Sequence, residues 1–174
     1  FENVTNVIRG NDHTINTVKQ KMLSNALNFK EIHYAHIPLI HDIEGKKLSK
    51  RDNITNVEDY LNDGYLAASI FNFIIKLGNN FNDIEYLNID EAVKNFNLSK
   101  TVLSPAKFDI EKLNFINQYY LKELSFSDFN KYLEKDVKDQ VSSFKLEPVY
   151  KDILERCHKY TEINLEIFKL YDFF

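Results

Sequence analysis

The 174-residue chain contains one cysteine, Cys157, and no tryptophan. A single cysteine excludes an internal disulfide and any cysteine-based zinc cluster, and it fits a reducing compartment. Positive charge is not in excess: 22 Lys and Arg against 26 Asp and Glu give a formal net charge of −4. Global charge therefore does not advertise nucleic-acid binding, and any such binding must use a local basic patch. Long apolar runs are missing too. The longest, Leu66 to Leu77, is interrupted by Ser69, Asn72 and Lys76, so none approaches a membrane span. Only 4 Gly and 3 Pro occur beside 44% hydrophobic and 28% charged residues, a globular profile rather than a disordered one.

The residues from Phe1 to Arg9 carry no signal-peptide pattern and read as a strand without a lead-in. The other end, Phe168-Lys-Leu-Tyr-Asp-Phe-Phe174, stops on apolar residues. Both ends lead us to expect a fragment of a longer chain. The length suits one domain with a good core, or two small ones. Asn, Ile, Lys, Phe and Tyr are over-used, as an AT-rich genome would produce.

The most informative stretch runs from His36 to Arg51. An apolar, strand-like segment is followed by Gly45 and then by Lys46, Lys47, Lys50 and Arg51, four cations in six residues. A cationic loop behind a glycine at the end of a buried strand is a place to hold phosphate charge. That points to a nucleotide.

The pattern predicts a mixed, mainly α chain. Val4–Ile8 reads as a strand, Arg9–His13 as a turn, Asn16–Leu27 as a helix and Tyr34–Ile40 as a second strand. Thr14 or Asn16 would cap the helix, and Val18, Met22, Leu23 and Ala26 would form its apolar face. Strand, helix, strand is a βαβ unit, in which ligands sit beyond the carboxyl ends of the strands, where both the Arg9–His13 turn and the basic loop fall. From Val57 the periodicity becomes helical: Val57–Asp63 closed by Gly64, Leu66–Gly78, Ile89–Phe96, and Asp109–Tyr120 after a loop at Ser104–Asp109. Phe126–Leu133, Val149–Tyr160 and Leu165–Tyr171 read as further amphipathic helices.

Several segments together resemble the bacterial glutamyl-tRNA synthetases. Val7-Ile-Arg-Gly-Asn-Asp-His-Thr-Ile-Asn-Thr17 is similar to that family's "V-I-R-G-x-D-H-x-x-N-T" segment. Ala35-His-Ile-Pro-Leu-Ile40 and Gly45-Lys-Lys-Leu-Ser-Lys-Arg51 resemble its strand and its version of the class I "KMSKS" motif. Val57–Leu66 and Phe108–Asn117 are similar to the segments that follow. The likeness covers roughly Val4 to Leu121. It implies that residues 1–50 are the second half of a Rossmann-like α/β catalytic domain. Residues 51–120 would form a helical connecting domain that braces the tRNA, and residues 121–174 the start of an all-α anticodon-binding domain. The "HIGH" half of the catalytic domain and most of the anticodon-binding region are absent from the chain, so the fragment alone is expected to be inactive.

The resemblance also assigns roles. The KMSKS-type motif is Lys47, Leu48, Ser49, Lys50 and Arg51. Lys50 would contact ATP, stabilising charge that develops on the phosphate oxygens as the glutamate α-carboxylate attacks the α-phosphorus. Lys47 would share that catalytic work, Arg51 would help hold pyrophosphate, and Ser49 would fit the tight turn. Arg9 would pair with the side-chain carboxylate of L-glutamate, for which a guanidinium fork is suited; a structural ion pair with Asp12 is its other reading. Asp12 and His13 would line the ATP and amino-acid pocket. Asn16 and Thr17 read as capping residues, and Gly10 as a backbone requirement, either close approach or positive φ. His33, His36 and His41 do not converge on one point along a strand, so no zinc site is expected. Magnesium would travel with the ATP phosphates.

Cys157 reads as a semi-buried small residue. Most aromatics beyond Phe115 read as core, and Lys107, Lys112 and Lys122 as solvated. The implied partners are tRNA(Glu), or tRNA(Gln) as well, with glutamate and ATP, for a monomer of a bacterial cytoplasm or of an organelle with a bacterial-type enzyme. The alternatives are a relative that charges a modified tRNA base and a non-catalytic RNA-binding or protein-interaction module.

Overall fold

The computed structural model describes residues 3–46, 56–140 and 145–171. Strand β1 (Asn6–Gly10), helix α1 (Thr14–Ala26) and strand β2 (His33–Ile37) form the expected βαβ unit, joined by a 3-10 turn at Asn11–His13. The strands are parallel, with Arg9 opposite His36 and Gly10 opposite Ile37. The single strand expected over Tyr34–Ile40 is divided. Pro38 has no N–H to give to a ladder, and pairing resumes one residue after Leu39 in β3 (Ile40–His41). The partner of β3 is β4 (Ala106–Lys107), again parallel, and Phe108 donates its N–H to the His41 carbonyl at 2.7 Å. The Ser104–Asp109 segment thus contains a two-residue strand where the sequence reads as loop. A pairing between residues so distant in sequence leaves no local pattern.

The rest is helical. Helix α2 (Val57–Asp63) opens on a capping box between Asn56 and Asp59 and closes on Gly64 at φ +108°. The positive φ favours glycine, and a Cβ there would lie 2.5 Å from Thr161 Oγ1, so both conformation and close approach fix the residue. Then come α3 (Ala67–Gly78), α4 (Ile89–Asn95), α5 (Ile110–Lys122), α6 (Phe126–Phe129), α7 (Lys135–Gln140), α8 (Tyr150–Arg156) and α9 (Ile163–Tyr171). The helix expected over Val149–Tyr160 stops at Arg156. Cys157 turns the chain extended before a 3-10 turn at Tyr160–Glu162.

Two apolar clusters hold these helices. One joins Tyr65, Ile70 and Phe73 to Leu113 and Ile116, across the α3–α5 packing. The other gathers Leu66, Leu121, Phe129, Leu133, Val137 and the buried faces of α8 and α9. Each fully buried Leu, Ile or Phe contributes about 1.5–3 kcal/mol. Phe126, Tyr132, Tyr150, Tyr160 and Phe168 pack against the second cluster, as the helical spacing of the aromatics predicts, whereas Phe115 is exposed. Cys157 lies wholly inside this cluster, more deeply than its expected semi-burial. Burial pushes its thiol up to about 12, so it is not a nucleophile at neutral pH.

A polar seam links the region after α2 to the C-terminal helices. Asn117, fully buried, accepts from the Leu66 N–H (2.8 Å) and the Ser69 hydroxyl (2.5 Å) and donates to the His158 carbonyl (2.6 Å). Beside it, Lys159 pairs with Asp63 at 2.6 Å, and the Tyr160 hydroxyl donates to the Leu61 carbonyl at 2.6 Å.

Helix α1 departs most from expectation. Its apolar residues do not meet a core: Val18 is 62% and Met22 68% exposed, and Leu23 and Ile15 are exposed with them.

Candidate active site

The site begins where β1 ends. Alternation along the strand turns Val7 and Arg9 to one face and Ile8 to the other, and the observed burial follows that period. On β2 the same face carries Tyr34 and His36. Parallel register sets Arg9 beside His36, and α1 crosses above them with Thr17. Gly10 has φ −61°, so positive φ is not its reason. A Cβ there would come within 2.6 Å of Asp12 Oδ1, the end of a flexible exposed side chain, and 3.3 Å from Leu39 Cδ2. The 3-10 turn is closed by the Thr14 hydroxyl, which donates to the Asn11 carbonyl at 2.6 Å.

Neither Thr14 nor Asn16 caps α1. The N-cap position is His13, without a side-chain cap bond, and Asn16 Nδ2 instead meets His13 Nδ1 at 3.3 Å. Thr17 is not a cap either. It stands one turn inside the helix, with its hydroxyl turned to the sheet.

Arg9 is half-buried. Its Nη2 donates to Thr17 Oγ1 at 2.7 Å and to the His13 carbonyl at 3.3 Å, and its Nε donates to His36 Nε2 at 3.5 Å. The Thr17 hydroxyl and His36 Nε2 are themselves 3.0 Å apart. The guanidinium also lies over the Tyr34 ring, 5.2 Å from its centre. These acceptors are neutral, so they aim the fork without cancelling its charge, and a carboxylate is the natural further partner for such a group. Asp12 Oδ1 lies 4.0 Å from His13 Nε2, with both side chains well exposed. The turn thus brings Arg9, Asp12 and His13 together at the carboxyl end of β1.

Beyond β3, Asp42 organises the entry to the basic segment. Its Oδ1 accepts from the Lys46 N–H at 2.8 Å, its carbonyl accepts from the Gly45 N–H at 3.1 Å, and Gly45 adopts φ +88°. Here the glycine supplies a left-handed turn residue. Lys46 pairs with Glu44 at 3.2 Å on the surface. Lys47, Leu48, Ser49, Lys50 and Arg51 lie outside the described residues.

His33 and His36 point to opposite faces of β2, and among the described residues no group of three His, Cys, Asp or Glu is placed to hold a metal ion. Two cavities elsewhere do not include the turn. One, about 250 Å³, lies between the end of α1 and β2, and an apolar groove of about 400 Å³ runs along α2 and α3. Sequence reading missed Thr17 and His36 as neighbours of Arg9. The signal that could have found them is the strand alternation taken together with parallel pairing, which puts positions 9 and 36 on one face.

A family model for the class I tRNA synthetases (E and Q), catalytic domain, matches residues 1–115. The chain belongs to this family. It is similar to the glutamate–tRNA ligase of Francisella philomiragia, with 43% identity over 131 residues, 75% of this chain and 28% of that protein. It is likewise similar to the glutamate–tRNA ligase of Prochlorococcus marinus, with 43% identity over 137 residues, 78% of this chain and 29% of that protein. Among solved structures it resembles a glutamate–tRNA ligase from Elizabethkingia meningosepticum in complex with its amino acid. The TM-score is 0.76 at 28% identity, over 93% of this chain and 37% of that one. The chain thus spans less than a third of the length of these sequence relatives. Among the described residues no helix is long and apolar enough to cross a membrane.

Proposed function

We propose that the chain works within a glutamate–tRNA ligase. The glutamate α-carboxylate oxygen attacks the α-phosphorus of ATP and pyrophosphate leaves, giving glutamyl-adenylate. A terminal ribose hydroxyl of tRNA(Glu) then attacks the activated carbonyl and AMP leaves. The observation that carries this reading is Arg9, a charged fork held by neutral acceptors at the carboxyl end of a parallel strand, in a chain of this family. In this reading Arg9 takes the glutamate side-chain carboxylate, and Asp12 and His13 line the pocket. Lys47, Ser49, Lys50 and Arg51 attend the ATP phosphates, with magnesium arriving on the nucleotide. Residues 1–50, 51–120 and 121–174 serve as catalytic, connecting and anticodon-side parts of a cytoplasmic monomer.

Arg9→Ala in the complete polypeptide is expected to raise the KM for glutamate roughly 100-fold, the scale of losing a bidentate charge-assisted contact. The KM for ATP should stay within about threefold of wild type in the same glutamate-dependent ATP–pyrophosphate exchange assay. A selective loss of ATP binding would contradict the assignment.

A further inference from the structure

Resting on that reading, we infer that Thr17 and His36 are positioning residues that set the carboxylate-binding fork of Arg9. An unrestrained arginine loses rotamer freedom each time it binds, whereas a fork already held in place loses less. Three acceptors restrain this one, from three separate parts of the fold: the α1 hydroxyl of Thr17, the turn carbonyl of His13 and the β2 ring of His36. They engage Nε and Nη2. None of these bonds uses Nη1.

The bonding pattern also fixes the protons. Arg9 Nε–H gives to His36 Nε2, so Nε2 must carry a lone pair and the ring proton must sit on Nδ1. Thr17 Oγ1 accepts from Arg9 Nη2, and its own proton turns to His36 Nε2 at 3.0 Å, nearer than the His13 carbonyl at 3.5 Å, so that the single Nε2 lone pair is shared between the Thr17 hydroxyl and the longer Arg9 Nε contact at 3.5 Å. Arg9, Thr17 and His36 thus form a closed triangle, in which Thr17 both accepts and donates. A residue with a methyl in place of that hydroxyl breaks two sides at once and leaves the fork able to swing.

The test is a double-mutant cycle in the complete polypeptide, read by glutamate-dependent ATP–pyrophosphate exchange. Thr17→Val should raise the KM for glutamate roughly tenfold, as expected for loss of one charge-assisted hydrogen bond. The KM for ATP and kcat at saturating glutamate should change little. Thr17→Ser, which keeps the hydroxyl, should restore the wild-type glutamate KM. On an Arg9→Ala background, Thr17→Val should cost nothing further, because its effect runs through Arg9. Additive losses in the cycle, or an unchanged glutamate KM in Thr17→Val, would overturn the positioning role while leaving the ligase reading intact. Absence of glutamate-dependent exchange in the wild type, with tRNA(Glu) present, would overturn both.

Discussion

Replacing Lys50 by alanine in the complete polypeptide is expected to slow glutamate activation about 100- to 1,000-fold, the scale of removing one donor aimed at transition-state charge. An apolar strand ends, Gly45 turns the chain with φ +88°, and Asp42 ties the turn at Lys46. Lys47, Lys50 and Arg51 follow directly. In the proposed reaction the phosphate oxygens gain negative charge as the α-carboxylate attacks, so a cation that meets them there lowers the barrier more than it tightens ground-state binding. The loss should therefore appear in kcat, with a smaller change in the KM for glutamate. Lys50→Arg keeps the charge but not its compact shape and should recover only part of the rate. An unchanged exchange rate in Lys50→Ala would remove this residue from the chemistry.

The second large effect concerns stability. Asn117→Ala is expected to destabilise the chain by about 2–4 kcal/mol, because it leaves a buried N–H without a partner, at roughly 1–3 kcal/mol, breaks a part-buried bond to the carbonyl of an exposed residue, at about 0.5–1.5 kcal/mol, and opens a small cavity. Those groups are the N–H of Leu66 and the carbonyl of His158. The Ser69 hydroxyl has one proton and can turn it from Asn117 to the Leu66 carbonyl, 2.6 Å away, so it adds little to the loss. Urea unfolding of the chain, wild type against variant, measures the difference, and a loss below about 1 kcal/mol would show that the seam is not what we describe. Against a total of roughly 5–15 kcal/mol for a domain of ordinary stability, the expected loss is a large fraction.

The sequence showed its local features well and its long-range ones poorly. Strand β1, the turn after it and the parallel βαβ unit were legible from apolar runs and their spacing, as were α2 with its closing Gly64 and the amphipathic helices α3 and α5. Strand β4 was not, because Ala106–Lys107 has no periodicity of its own and exists through its pairing with Ile40–His41. The apolar residues of α1 predicted a buried face, but Val18, Met22 and Leu23 stay exposed among the described residues. A periodic stripe records which face would be buried, and it is silent about what lies against it. At the site, Arg9 stood out by its chemistry and its place in a motif. Thr17 did not, because a threonine near a helix start is read first as a cap. His36, as a histidine among His33 and His41, reads first as a metal ligand. Their bond to Arg9 depends on strand register and on the way α1 crosses the sheet, and neither is written in the neighbouring residues.

In the proposed function, the complete polypeptide carrying this chain activates glutamate. The most direct measurement is glutamate-dependent exchange of labelled pyrophosphate into ATP by the purified complete polypeptide, with tRNA(Glu) added to support activation where the enzyme needs it. The expected result is exchange that requires glutamate, is not supported by aspartate, and falls sharply in both Lys50→Ala and Arg9→Ala. Exchange that is absent, or that proceeds equally without glutamate, would contradict it.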